Sequence, residues 1–551
     1  MLESNLDMKK SVLLFCWVVC TLNFGCKQSN KFKESSRNVL HYAATKPIYS
    51  LDPAFAMNET ECLAVKQLYN GLVQLNDSTE VEPAIAKSWT IADDGLTYTF
   101  TLRNDVYFHD HILFLNSKGR KVRSADFVNS FTRICNPAVA SPGAWIFNEL
   151  DKSAISNYKG VTEKNDTTLV IHLRRPFSPF LKLLCLTYCS VVPIEVADYY
   201  GNAFRLNPVG TGAFQKKYWK EGEQLILSKN QNYFETNVLL KLPLLDAISF
   251  DFTIDPSSTF THFLEGKLDF VSGIDDRFSS KLIKSDGCLA KEYESKFKLY
   301  QPPHLVSNYL GFNSKINSLL NNAKGKLVRK AIQYAINKKK LIQNLNSPTA
   351  TVASNGIVPD ALKFPNNTSF IAPDYNREKA KILMQRAGYT ESNPFPLLKI
   401  IVEKDAIKWC SLIQNDLLEI GIRTELVPVE DAVLDEMIRH ADLSMYARNE
   451  QPLYADPMSY FDGYFLNHSG YTAAAELDSD LTESKLYHNL FTEQNEEMRK
   501  KMVQQLDQQL IEEGWVVPIF YASTPLLSQR GIQGLKCSTL SNLQFKSVKK
   551  E

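Results

Sequence analysis

The stretch that decides the fold is AKSWTIADDGLTYTFTLRNDVYFHD, Ala86 to Asp110. Leu96, Tyr98, Phe100 and Leu102 alternate with Thr97, Thr99, Thr101 and Arg103. That period of two marks a strand with one face buried and one wet. Asp93-Asp94-Gly95 supplies the turn that leads into it. What the strand belongs to is read from the sequence on either side.

Upstream, MKKSVLLFCWVVCTLNFGC runs from Met8 to Cys26. Two lysines precede an apolar run that is short for a membrane span, the pattern of a secretory signal. Glu3 and Asp7 in front of it leave Met8 open as the start. Gly25-Cys26 ends the run, and the polar stretch KQSNKFKESSRN follows. This resembles the lipobox of bacterial lipoproteins, with two departures: Asn23 stands where Leu is usual, and Phe24 is bulky for its place. Residues 1–26 are therefore expected to be a signal peptide, with Cys26 lipidated and anchoring the chain to a membrane.

The 551 residues are 44% hydrophobic and 22% charged, enough for a large core. With 62 basic and 61 acidic residues there is no basic excess, so no nucleic-acid partner is expected. Beyond Cys26, seven cysteines (62, 135, 185, 189, 288, 410 and 537) are odd in number and scattered, which is not a disulfide framework. The chain has no GxSxG, HExxH or GxxxxGK[ST] motif. No enzyme activity and no cofactor or metal site is expected. His109 and His111 flank Asp110 at a spacing that could hold a metal on a strand; a solvated strand end is the simpler reading.

Further along, Glu61 to Leu75 reads as a helix, a Gly71 stop and a strand. SADFVNSFTRI reads as a helix N-capped by Ser124, with Phe127, Val128, Phe131 and Ile134 on one face. PFLKLLCLTY reads as a buried helix. GKLVRKAIQYAINKKKLI reads as one helix whose Lys338 to Lys340 are solvated. Strand, helix and strand recur to the tail, giving a mixed α/β chain with more than one lobe.

The opening stretch, with SADFVNSFTRICNP, SLDPAFA, LYNGLV, NPVGTGAF, LSKNQNYF, YLGFN, LVRKAIQYAINKKKLI and AKILMQRAGY, resembles the family 5 extracellular solute-binding proteins of ABC importers. The oligopeptide-binding subgroup is the best match. The resemblance implies an α/β, two-lobed periplasmic-binding-protein-like fold (type II, cluster C) with an extra N-terminal subdomain. It implies a first lobe of residues 27–71, 207–302 and 514–551, a subdomain of 72–206 that contains the opening strand, and a second lobe of 303–513. It implies capture of short peptides outside the cytoplasmic membrane by a monomer, periplasmic or held at the cell envelope, and their delivery to ABC permease subunits. Murein peptides, dipeptides or a nickel chelate, the last drawing on His109, His111 and His440, are the alternative ligands, and an exported hydrolase the alternative class.

In peptide receptors of this family an aspartate holds the ligand's ammonium, a few residues before a Glu-Pro or Asp-Pro. Asp456-Pro457 matches the second landmark, but the aspartate's place falls on or near Leu453, or on Glu450. Arg448 is the nearest residue to the aromatic that usually precedes it. The resemblance thus makes Glu450 or Asp456 the carboxylate for an ammonium, unless the ligand has no free N-terminus. In the first lobe it points to Met57, Asn58 and Glu59 as ligand contacts, and in the subdomain to Trp145.

Overall fold

The protein was analysed as a computed structural model that describes residues 38–551 except 45, 152–159, 238–239, 275, 285–286, 314–318, 346, 348, 363–371, 441–442, 466–481 and 537–542. The expected signal sequence and the expected lipidation at Cys26 lie outside the described residues. Among those described, no helix is long and apolar enough to cross a membrane.

The first lobe carries a four-stranded sheet in the order Val39–Ala43, Ala247–Asp251, Gln224–Lys229, Phe214–Lys220, and a three-stranded sheet of Phe270–Ser272, Leu526–Gln529 and Phe297–Tyr300. The second lobe is a six-stranded mixed sheet: Thr351–Val352, Val516–Ala522, Val306–Phe312, Met445–Glu450, Leu398–Glu403, Thr424–Val429. Two neighbouring stretches of chain cross between them. Tyr300 pairs with Leu526 in the first lobe, and Val306 pairs with Ala522 in the second. Residues 301–305 and 523–525 are thus a paired crossing, the simplest construction for a hinge. Strand Val516–Ala522 lies on the second-lobe side of this crossing, although the resemblance implies a first lobe that includes 514–551. Its continuously buried face-to-face run could belong to either sheet, and only its partner strand Val306–Phe312 decides.

The opening stretch forms a hairpin, Ala86–Ile91 with Thr97–Leu102, in a four-stranded antiparallel sheet completed by Thr168–His172 and Val161–Asn165. Tyr98, Phe100 and Leu102 are buried and the threonines between them are not. Gly95 takes the turn at φ +69°, a left-handed conformation that a side chain disfavours. One hydrophobic cluster runs from Leu40 and Leu225 through Phe100 and Phe131 into Tyr446 and Tyr454 of the second lobe. A separate core fills the other side of the second-lobe sheet, beneath helices Ala323–Ala335 and Ile407–Leu418.

Local readings change in four places. Arg123, not Ser124, holds the N-cap position of helix Ser124–Cys135; its side chain makes no cap, and its N–H donates to the Asp126 carboxylate at 2.8 Å. PFLKLLCLTY holds only the short helix Phe180–Leu183 and a 3-10 turn, Thr187–Cys189. The long basic helix is two helices, Ala323–Ala335 and Lys338–Leu345. Lys338 opens the second of them and is buried, its ammonium on the Ala353 carbonyl at 3.3 Å, and burial lowers it to about 8.

His109 is the fourth. It is 4% exposed, with Nε2 3.0 Å from the Gly212 carbonyl and Nδ1 accepting the Gly210 N–H at 3.3 Å. Burial lowers it to about 4 from an ordinary 6.5. A neutral imidazole that must charge on unfolding stabilises the fold fully above pH 6.5 and progressively less as pH falls towards 4, by about 3 kcal/mol in all. Urea midpoints should therefore fall between pH 7 and 4, and a His109→Gln variant should lose most of that slope.

Candidate functional site

A cavity of about 270 Å3 lies between the lobes beside the crossing strands. The first lobe contributes Ile283 and Pro525; the second contributes Asn308, Trp409, Asn449 and Phe520. Asn308 and Asn449 are cross-strand partners in the sheet register, so their side chains stand together on one face. Trp409 on helix Ile407–Leu418 donates its indole N–H to the Asn449 amide oxygen at 3.0 Å. Asn308, 3% exposed, donates its amide N–H to the Phe520 carbonyl at 3.4 Å. Among the described residues the charged members of the lining are Asp405 and Lys408, both exposed.

Alternation along Met445–Glu450 sends Tyr446, Arg448 and Glu450 to the opposite face from Asn449. There the Arg448 guanidinium, 4% exposed, meets Glu450 at 2.9 Å, Asp435 of helix Asp431–Arg439 at 2.7 Å and Glu403 at 3.6 Å. Burial acts against the guanidinium's charge, but Glu450 and its fellow carboxylates outweigh it and hold the proton firmly. Burial pushes Glu403 up to about 7 against the pull of Arg448 and the Asn449 N–H. The face also crowds: a Cβ on Gly311 would lie 2.2 Å from the Tyr446 ring, so only glycine lets these strands and that ring coexist.

Asp456 is fully buried, and both its oxygens are engaged by Arg499, at 2.6 and 2.9 Å, with Lys182 at 3.1 Å and the Met458 N–H at 3.1 Å. Burial alone would raise its carboxyl; Arg499 and then Lys182 overcome that and keep it well below its ordinary value. Lys182 belongs to the subdomain helix Phe180–Leu183, so this ion pair ties subdomain to second lobe. Two further contacts repeat the tie. Trp145 lies against Tyr454, ring centroids 6.4 Å apart, and Phe177 stacks on Phe491 at 4.4 Å with Arg175 over the same ring. Leu453, at the place of the missing aspartate, is 49% exposed.

In the first lobe Met57 is 71% exposed and Glu59 is exposed, while Asn58 caps helix Glu59–Leu68. Its side chain takes the Glu61 N–H at 3.0 Å, and Glu61 returns bonds to the Met57 and Asn58 N–H groups. The structure thus joins Arg448 to Glu450 and Trp145 to the Asp456 loop, and keeps Met57, Asn58 and Glu59 on the first lobe. Reading by resemblance missed Asn308, Trp409 and Asn449. The signal was present: an asparagine inside each of two largely buried strands, SNYLGFN and MYARNE, needs a hydrogen-bonding reason.

Two sheet-bearing lobes, a paired crossing and a cavity between them define a two-lobed binding protein. Residues 80–472 match the bacterial extracellular solute-binding proteins, family 5 Middle, and the chain belongs to that family. It is 28% identical over 428 residues to the heme-binding protein A of Haemophilus influenzae, covering 75% of this chain and 74% of that protein. It is 26% identical over 382 residues to the glutathione-binding protein GsiB of Salmonella choleraesuis, covering 69% and 67%. Among solved structures it resembles the periplasmic binding protein DppA of Helicobacter pylori in complex with the peptide STSA, with 25% identity, TM-score 0.73, and coverage of 94% and 99%. The family consists of substrate-binding proteins of transporters, not enzymes, and works with ABC permeases outside the cytoplasm.

Proposed function

We propose that this protein captures oligopeptides outside the cytoplasmic membrane, anchored through a lipid on Cys26, and delivers them as a monomer to ABC permease subunits. The observation that carries this reading is the cavity between the lobes, backed by the hinge strands and walled by side-chain amides. Backbone groups are common to all peptides, so amide walls and adaptable water contacts suit a receptor for many sequences. In this reading Met57, Glu59 and Trp145 are further ligand contacts, outside the lining of that cavity. Asn58, Arg448, Glu450 and Asp456 brace the elements that carry them. Residues 27–71, 207–302 and the chain after the second crossing form one lobe, 72–206 the subdomain, and 303–522 the other lobe. At about 270 Å3 the cavity is close to the lower end of the roughly 300–1,000 Å3 of small-molecule sites, so dipeptides or murein peptides are the alternative ligands within the peptide class. A nickel chelate finds less support. His111 sits on the Tyr200 hydroxyl, His440 on Glu436, and no cluster of three metal-ligating side chains occurs among the described residues.

Mass spectrometry of recombinant residues 27–551, sprayed native and then denatured, tests this. Recovery of short peptides is expected. A single non-peptide or metal-chelate mass would overturn it.

A further inference from the structure

We propose that the inner wall of the interlobe cavity recognises an uncharged amide, so that the ligand enters with its amino end acylated or closed in a ring and not as a free ammonium. This deepens the peptide reading and rests on it.

The argument starts from two hydrogen bonds whose direction chemistry fixes. An indole N–H can only donate, so the Asn449 atom facing Trp409 is the carbonyl oxygen. A backbone carbonyl can only accept, so the Asn308 atom facing Phe520 is the amide nitrogen. These partners remove the usual ambiguity of asparagine orientation. What remains for the cavity is the Asn449 Nδ2 group with its two N–H donors, the second N–H of Asn308 Nδ2, and the acceptor Asn308 Oδ1. They come from cross-strand neighbours on one face of the sheet. A donor beside an acceptor is the complement of a single amide group, whose C=O accepts and whose N–H donates.

An ammonium would fit this wall poorly. It brings donors only, and would set one of them against the Asn449 N–H. Burying it without a carboxylate costs several kcal/mol. The carboxylates near the strand are already committed on other surfaces. Glu450 pairs with Arg448 on the far face of the sheet, and Asp456 is held by Arg499 and Lys182. Leu453 offers no charge. Among the described residues the acid on the lining is Asp405, which is exposed and shares the lining with Lys408.

The test is a competition in native mass spectrometry. Residues 27–551, freed of co-purified ligand by denaturation and refolding, are offered equal amounts of two sets of dipeptides of the same composition, one N-acetylated and one with free amines. Free tetrapeptides are included in the same mixture. The acetylated set should be retained in about tenfold excess or more, the scale of two directional hydrogen bonds gained and one desolvated charge avoided. Asn449→Ala should reduce that retention about tenfold in a chain that still unfolds cooperatively, since loss of the Trp409 acceptor costs some stability of its own. Asn449→Asp, which places a carboxylate at the wall, should shift preference towards free amines. Equal or greater retention of free dipeptides by the wild-type chain would overturn the proposal. So would retention of free tetrapeptides alone, which would leave the peptide reading standing. Retention of none of the sets by a chain that unfolds cooperatively would count against both.

Discussion

Replacing Asp456 with alanine should lower the unfolding free energy by about 3–5 kcal/mol, the range for removing one partner of a buried ion pair. The size follows from what is left behind. Arg499 is 8% exposed at its side chain and sends two of its nitrogens to Asp456, so the variant strands a buried guanidinium. Lys182 is different, with 29% of its side chain exposed, and water can replace its partner. Lys182→Met should therefore cost less than about 1 kcal/mol. It should instead ease the separation of subdomain from second lobe, read as a larger radius of gyration without ligand. The contribution of Asp456 should also be robust to acid. Its folded carboxyl lies below its unfolded one, so the stability is fully present above about pH 4. It is lost only as pH falls through the depressed folded value. Urea midpoints at pH 7 and pH 4 should show the same Asp456→Ala deficit.

Arg448→Met should be of similar size, about 3–5 kcal/mol at pH 8, with the opposite pH signature. The guanidinium is the cation that Glu450, Asp435 and Glu403 share. Without it three carboxylates face one another in a buried space, and Glu403 is already pushed up to about 7 with the arginine present. Raised carboxyls destabilise the fold once pH climbs past their unfolded values, and the penalty grows until the folded groups ionise. Lowering pH from 8 to 5 should therefore restore much of the variant's lost stability. A deficit that does not change over that range would mean that packing of the arginine stem, and not charge, is what the residue supplies. The ligand-facing Asn449 projects from the other side of the same strand, so retention of a tightly bound ligand should survive wherever the variant remains folded.

How far the sequence could be read depends on the range of the force involved. The hairpin at Ala86–Leu102 was legible because burial of one face writes itself into alternate positions, and a turn glycine into the gap between strands. Helix Ser124–Cys135 was legible for the same kind of local reason, a 3.6-residue apolar stripe, although its cap was not. Order of landmarks along the chain sufficed for the family, since a fold shared by relatives keeps its elements in sequence. These are properties of neighbours along the chain, and the sequence alone determined them.

The rest was decided in three dimensions. Lys338 and His109 look like solvent-facing residues until distant backbone, Ala353 in one case and Gly210 with Gly212 in the other, closes over them. Val516–Ala522 belongs to the second lobe only because Val306–Phe312 is there to pair with it. Arg448, Asn449 and Glu450 are consecutive or nearly so, yet they serve different surfaces, because a strand turns alternate side chains to opposite faces and each face meets its own partners. Asp456 reads as a carboxylate available for a ligand, but Arg499, forty-three positions away, and Lys182 in the subdomain have taken it. A charge's availability is fixed by what surrounds it in space, and for this site the surroundings come from segments that the sequence holds far apart.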